Sequence, residues 1–321
     1  MEGIVLFNKS KNYTSYQIVE FFKKRTKKKV GHGGTLDPLA EGLLILGIGE
    51  YRKELNKFLK ESIKTYIAEI ILGARSTTYD REGKIYPNDD RINYPNTNLI
   101  KKVVSSFIGE IEQIPPPFSA VKIKGKPAYL LARKGDKVEL KPRKVKIYDI
   151  KILDYNWPVL KIEVTCSSGT YIRSLANDIG EKLGCGCYLN NLKRIKIILT
   201  QNNTDFIQRN ADNKNVFTIE EALTFEDIEN NFLEFYAKVY GRVQGVGYRY
   251  FVKEKSQSLG IFGYVKNLED GTVEILAQGR EENLQKLIGE LKKGPFLARV
   301  DKLDIVFRKP IHRFNIFKII H

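Results

Sequence analysis

The sequence predicts an α+β protein with two organised regions, a first built on a large, mostly antiparallel mixed sheet and a smaller second one beginning near residue 235. Three observations predict it. Apolar runs at 3–8, 43–48, 65–72, 145–154 and 158–166 have the length and composition of strands. Helical spacing intervenes after Thr14 and near 97–108 and 172–183. From Gln201 to Asn215 the composition turns to Asn, Asp and Gln and periodicity is lost, which reads as a loop or linker.

The elements follow in order. Residues 3–8 form a buried strand. Thr14 with Gln17 is a capping-box signature for a helix carrying Ile18, Val19 and Phe22, and Thr218 with Glu221 repeats that signature after the linker, where a short helix is expected. With 321 residues and 42% hydrophobic content the chain can bury two cores, which excludes disorder as its main theme.

The balance of 54 Lys+Arg against 38 Asp+Glu leaves +16, an excess that suits a polyanion such as nucleic acid; a solvated basic surface is the alternative. The excess lies in residues 1–200 and 235–321, while 201–234 is acidic. Two segments concentrate it. Lys23, Lys24, Arg25, Lys27, Lys28 and Lys29 precede a glycine-rich loop, and residues 122–146 carry ten basic residues interleaved with Tyr129 and Leu130. Three cysteines, no long apolar run and an acidic start at Met1-Glu2-Gly3 predict a reduced cytoplasmic location and no membrane. Cys185-Gly186-Cys187 has no second pair to complete a metal site, so no metal is expected.

Gly31-His32-Gly33-Gly34-Thr35-Leu36-Asp37-Pro38 is the most informative stretch, because its glycines allow backbone to approach a ligand closely around a lone carboxylate. A nucleotide P-loop would need a Lys-Ser/Thr pair, and Ala40-Glu41-Gly42 supplies none. With Lys64-Thr65-Tyr66, Gln113 to Lys122, Ala128 to Arg133 and Ser168 to Leu175 following in order, residues 3–228 resemble the TruB family of tRNA pseudouridine synthases. The resemblance implies isomerisation of uridine in the tRNA T-arm, at the fifty-fifth position, without cofactor or redox step. It makes Asp37 the catalytic carboxylate and Arg173 its paired cation. Tyr66 would stack on the extruded base, Tyr171 would line the base pocket, and His32 would help hold the flipped nucleotide. Lys9 would pack against the catalytic loop, and 122–146 would close on the RNA. Whether Asp37 attacks the sugar, the base or a proton stays open. The early family pattern Lys-Pro-x-Gly-x-Thr-Ser reads here Lys9-Ser10-Lys11-Asn12-Tyr13-Thr14-Ser15, and Gly33 replaces a threonine.

Beyond the linker, 235–243 alternates like a strand, 244–247 turns and 248–259 has helical spacing, an arrangement whose backbone N–H groups suit an anion, with Arg249 adding charge. Gly241 to Arg249 and Gly263 to Val273 resemble the two acylphosphatase signatures, which implies a ferredoxin-like βαββαβ domain over 235–321, following a synthase domain over 1–230. In that family Arg249 binds the phosphoryl group and Asn267 orients the attacking water, so hydrolysis of small acyl phosphates is the expected second activity. Tyr248 stands where phenylalanine is commoner, and Arg242 is expected to be a strand-end residue. The alternatives are an acylphosphatase with a non-catalytic RNA-binding first domain, or an RNA chaperone; a monomer is expected.

Overall fold

The computed structural model describes residues 1–53, 55, 62–88, 94–119, 121–123, 125–134, 139–199 and 216–321; the expected linker at 201–215 lies outside them. In chain order the strands are β1 (Gly3–Lys9), β2 (Val30–Gly33), β3 (Glu41–Ile48), β4 (Ile63–Leu72), β5 (Ala74–Ser76), β6 (Ile85–Pro87), β7 (Gly109–Gln113), β8 (Lys122–Ile123) and β9 (Lys126–Pro127). They continue as β10 (Arg143–Asn156), β11 (Val159–Ser167), β12 (Cys187–Ile198), β13 (Val216–Thr218), β14 (Phe232–Arg242), β15 (Phe262–Asn267), β16 (Val273–Arg280), β17 (Arg299–Arg308) and β18 (Phe317–Ile320). The helices are α1 (Ser15–Thr26), α2 (Thr97–Ser105), α3 (Ala128–Arg133), α4 (Ile172–Leu183), α5 (Phe225–Glu229), α6 (Tyr248–Ser258) and α7 (Glu281–Lys293). No helix among the described residues is long and apolar enough to cross a membrane. Packing divides the chain into two compact units, Met1–Lys60 with Ile198–His321, and Glu61–Ile197.

In the first unit β1 lies between two partners. It runs antiparallel to β3, from Gly3↔Ile48 to Lys9↔Gly42, and parallel to β17 through Ile4↔Val306 and Val5↔Phe307. A strand covered on both faces needs an apolar run rather than alternation, and Ile4, Val5, Leu6 and Phe7 are all buried. Gly3 permits the approach to β17, since its φ is 146° and a Cβ there would meet the Ile305 carbonyl oxygen at 2.9 Å. The C-terminal strands follow the order β18-β15-β16-β14-β17, with α6 packed on β15 and β18 and α7 on β14, β16 and β17. This is the βαββαβ arrangement expected from the sequence, and its edge strand continues directly into β1.

Local signals account for the ends of α1. Thr14 Oγ1 accepts from the Gln17 N–H at 3.1 Å while Gln17 Oε1 accepts from the Thr14 N–H at 2.7 Å, closing the expected capping box. Phe22 on the buried face of α1 meets Phe7 of β1 edge-on at 5.4 Å. At Thr218 the capping box also forms, yet it opens only a three-residue 3₁₀ turn, Ile219–Glu221, and a second box at Thr224 and Asp227 starts the short α5. The expected helix is therefore reduced to that turn, and Glu221, while its Oε2 caps Thr218, also joins an ion pair through Oε1. Arg308 of β17 binds Glu221 at 2.7 Å and also the Glu234 carboxylate of β14.

The second unit carries strands in the order β12-β4-β11-β10-β7. β4 and β11 pair from Ile63↔Ser167 to Val159↔Ile71, and α4 packs on β4 and α2. Lys64, Tyr66, Ala68, Ile70 and Leu72 share the inward face of β4, all buried, as period-two alternation requires.

Arg308→Met removes the cation that the buried carboxylates of Glu221 and Glu234 share. It is expected to lower stability by about 3 kcal/mol at pH 7, measured by urea denaturation; a loss below about 1 kcal/mol would contradict this role for the network.

Candidate active sites

Asp37 sits half-buried in the loop between β2 and β3, in the first unit. Each neighbour in the loop is held. Ser15 Oγ, at the start of α1, accepts from the Leu36 N–H at 2.9 Å and lies 3.0 Å from its carbonyl, to which it donates. Leu36, Leu39 and Ala40 are buried on either side of the carboxylate, and the Ala40 N–H closes a tight turn on the Asp37 carbonyl at 3.0 Å. Lys9 is fully buried, with Nζ donating to the carbonyls of Ser10 (3.0 Å), Tyr13 (2.6 Å) and Pro38 (3.4 Å). The Asn12 N–H adds a bond to the Pro38 carbonyl at 2.9 Å. Lys9 thus packs the 10–13 loop against the Asp37 turn, as the sequence reading expected of it. Asn12 has φ 68°, so it takes the left-handed conformation for which the family pattern carries glycine, and asparagine is among the few residues that accept it. His32 lies on β2 opposite Leu46, half-buried.

Tyr66, Tyr171 and Arg173 belong to the second unit. Tyr66 is buried on β4, and Tyr171 and Arg173 bracket the start of α4. The Gln113 side-chain amide grips Tyr171 by its backbone, accepting from its N–H at 2.8 Å and donating to its carbonyl at 3.0 Å. Ser174 Oγ donates to the Ile114 carbonyl at 2.7 Å. The Gln113–Ser119 block is therefore a clamp on the first turn of α4. Arg173 lies 3.5 Å from the Asp80 carboxylate, both side chains almost fully buried, and donates to the carbonyls of Phe118 (2.9 Å) and Thr78 (3.4 Å). Asp80 is in turn held by Thr78 Oγ1 at 2.5 Å and the Glu82 N–H at 3.0 Å. Neither Gln113 nor Asp80 stood out in the sequence as a functional support; the signal available for Asp80 was its place in a Thr-Thr-Tyr-Asp-Arg-Glu-Gly turn. The three cysteines are buried, and burial pushes the Cys166 thiol up to about 11 and the Cys187 thiol higher still.

The two basic segments differ. On and after α1, Lys23 pairs with Glu20 (2.6 Å), Arg25 with Glu281 (2.7 Å) and Lys28 with Glu2 (2.7 Å), so half of that run is engaged within the fold. In 122–146 the described cations Lys122, Lys126, Lys134, Lys141, Arg143, Lys144 and Lys146 are all exposed, with no carboxylate partner among the described residues. Lys124, Lys137 and the Arg133 side chain lie outside those residues.

In the C-terminal part of the first unit, Gly245 and Gly247 have φ 73° and 77°, which turns successive N–H groups of the loop before α6. No carbonyl or side chain among the described residues accepts from the N–H groups of Gly245 to Arg249, and the first helical bond runs from Phe251 to Gly247. Arg249, half-buried in the first turn of α6, makes no hydrogen bond or ion pair among the described residues. Asn267 ends β15, and its Oδ1 is buried without a donor among the described residues. Gln244 joins the two parts, donating to the carbonyls of Leu268 and Thr272, each at 2.8 Å, in the hairpin that Asn267 begins. Arg242 is exposed at the end of β14, paired in register with Arg299, so it is a strand-end residue.

A family model described as TruB family pseudouridylate synthase (N terminal domain) matches residues 23–172, and an acylphosphatase model matches 235–319. The chain is 46% identical over 197 residues to tRNA pseudouridine synthase B of Protochlamydia amoebophila, covering 61% of this chain and 74% of the relative. It is 43% identical over 237 residues to tRNA pseudouridine synthase B of Clostridium tetani, covering 73% and 75%. Among solved structures it is similar in fold to the crystal structure of a Cbf5-Nop10-Gar1 complex, with TM-score 0.51 and 20% identity over 94% of this chain and 84% of that one.

The left-handed backbone at residue 12 makes a direct prediction. Asn12→Gly is expected to leave thermal stability within about 0.5 kcal/mol of the parent. Asn12→Val, which is branched and disfavours positive φ, is expected to cost about 1–2 kcal/mol. Equal melting of the two variants would refute it.

Proposed function

Because the chain belongs to the TruB family of pseudouridylate synthases, we propose that it acts in the cytoplasm, as a monomer, on the T-loop uridine at the fifty-fifth position of tRNA. The reaction breaks the C1′–N1 bond of that uridine, turns the base and joins C5 to C1′. Asp37 supplies the carboxylate that acts on the nucleotide. Arg173 supplies a fixed guanidinium for the site, Tyr66 and Tyr171 hold the extruded base, and His32 holds the flipped nucleotide. The observation that carries the reading is the immobilisation of the Asp37 loop by Lys9, Asn12 and Ser15, which presents one carboxylate in a defined place. The described cations of 122–146, exposed and without a carboxylate partner among the described residues, suit the phosphates of the T-arm.

We further propose that the C-terminal domain hydrolyses small acyl phosphates. The N–H groups of 245–249 and the Arg249 guanidinium receive the phosphoryl oxygens, and Asn267 Oδ1 accepts from the attacking water. Water adds to phosphorus, the bond from phosphorus to the acyl oxygen breaks, and the carboxylate leaves with that electron pair. The free Oδ1 of Asn267 favours this reading over a purely structural domain, since a buried amide oxygen without a donor is costly unless it serves a ligand or water.

Unmodified tRNA incubated with the full chain is expected to gain pseudouridine at a single T-loop position, and Asp37→Asn to abolish it by at least about 10³-fold. Product formed equally by Asp37→Asn would sink the assignment. For the second activity, benzoyl phosphate turnover is expected to fall by about 10²–10³-fold in both Arg249→Ala and Asn267→Ala, while Asp37→Asn hydrolyses it at the parent rate. Turnover surviving both substitutions would place the chemistry elsewhere.

A further inference from the structure

Lys64 is buried on the inward face of β4, two residues before Tyr66 on the same face, and in register with Cys166 of β11. Its ammonium has three protons to donate. Among the described residues it meets one acceptor, Ser168 Oγ at 3.0 Å, in the turn that leads to Tyr171 and Arg173. No carboxylate among the described residues faces it. The charged and titratable groups that do are the buried guanidinium of Arg194, which repels it, and the Cys166 thiol. A buried ammonium without a counter-ion costs several kcal/mol, so it persists where a ligand or intermediate brings the negative charge. Lys64 also ties the strand carrying Tyr66 to the turn preceding Arg173, which places it among the residues proposed to hold the base.

We propose that Lys64 compensates the negative charge that uracil carries while it is detached from the ribose, an inference that rests on the isomerase reading above. When C1′–N1 breaks, its electron pair leaves on the ring and spreads to the carbonyl oxygens. The pair returns when C5 bonds to C1′, C5 loses a proton and N1 gains one, so the isomerisation balances with no co-reactant. A cation already desolvated acts on that transient charge without reorganisation and adds nothing to the neutral substrate, which is the condition for raising rate rather than affinity. Burial, with Arg194 adding to it, pushes the Lys64 ammonium down to about 8. Since the folded value lies below that of the unfolded chain, the folded state binds fewer protons above about pH 8, and stability gains as pH rises toward the normal lysine range. The rate moves the other way, falling as the ammonium is lost.

The test uses the full chain and unmodified tRNA in single-turnover reactions between pH 6.5 and 9.5. The parent must first form pseudouridine; if it does not, the isomerase reading fails and Lys64 is not at issue. Lys64→Met is expected to slow conversion about 100-fold at pH 7 with tRNA affinity unchanged and melting temperature equal or higher. Lys64→Arg is expected to retain most of the rate at pH 7 and to lose the alkaline decline centred near pH 8 that the parent shows. A Lys64→Met rate within about threefold of the parent overturns the proposal. Should Lys64→Met fail to fold, the arginine variant decides: an alkaline decline identical to the parent's overturns it as well.

Discussion

Strand β1 is bonded along both edges, antiparallel to β3 and parallel to β17, and its four central side chains are removed from water. At about 1.5–3 kcal/mol for each fully buried aliphatic or aromatic side chain, this short strand carries a large share of the first unit's cohesion. The positions of other groups follow from it. Phe7 receives Phe22 of α1 and Phe225 of α5, Lys9 at its end gathers three carbonyls around the Asp37 turn, and its parallel edge closes the sheet that bears the Arg249 loop. Two candidate sites of different chemistry are thus anchored to one strand.

Net charge alone gives a poor account of the basic surface. Half of the cations around α1 are spent on Glu2, Glu20 and Glu281, and such pairs, partly exposed, contribute little to stability each but withdraw charge from any partner. The described cations of 122–146 have no such neighbours among the described residues. Under the proposed function an RNA phosphate arriving there would displace only water and counter-ions, and the segment would carry much of the salt dependence of RNA affinity.

Much of the architecture was legible because it rests on local rules. The capping boxes at Thr14 and Thr218, the apolar runs of β4 and β11, and the strand-turn-helix at 235–259 are short-range signals, although the element after Thr218 is a single 3₁₀ turn. What escaped was long-range. β12 shows no clean alternation because two pairs of half-buried residues, Asn190-Asn191 and Ile195-Lys196, break its period, and because buried Arg194 takes an inward position that an apolar residue would have marked. Gln113 matters through the backbone of a residue fifty-eight positions away, and Asp80 through Arg173, neither of which a local pattern encodes. Asp37 itself stands out in the sequence through its ordered company rather than its own chemistry. Asn12 stands where the family pattern carries glycine, and only its φ of 68° reveals that the left-handed turn is kept.

The covering of β17 by β1 bears on how such a chain can change over evolutionary time. The pairing of β1 with β17 covers a strand edge in each, a surface on which free-standing domains tend to associate wrongly. Separating the two strands would expose the matching edges of both at once, so any change that loosens one unprotects the other. The seam that keeps both covered is two pairs of residues long.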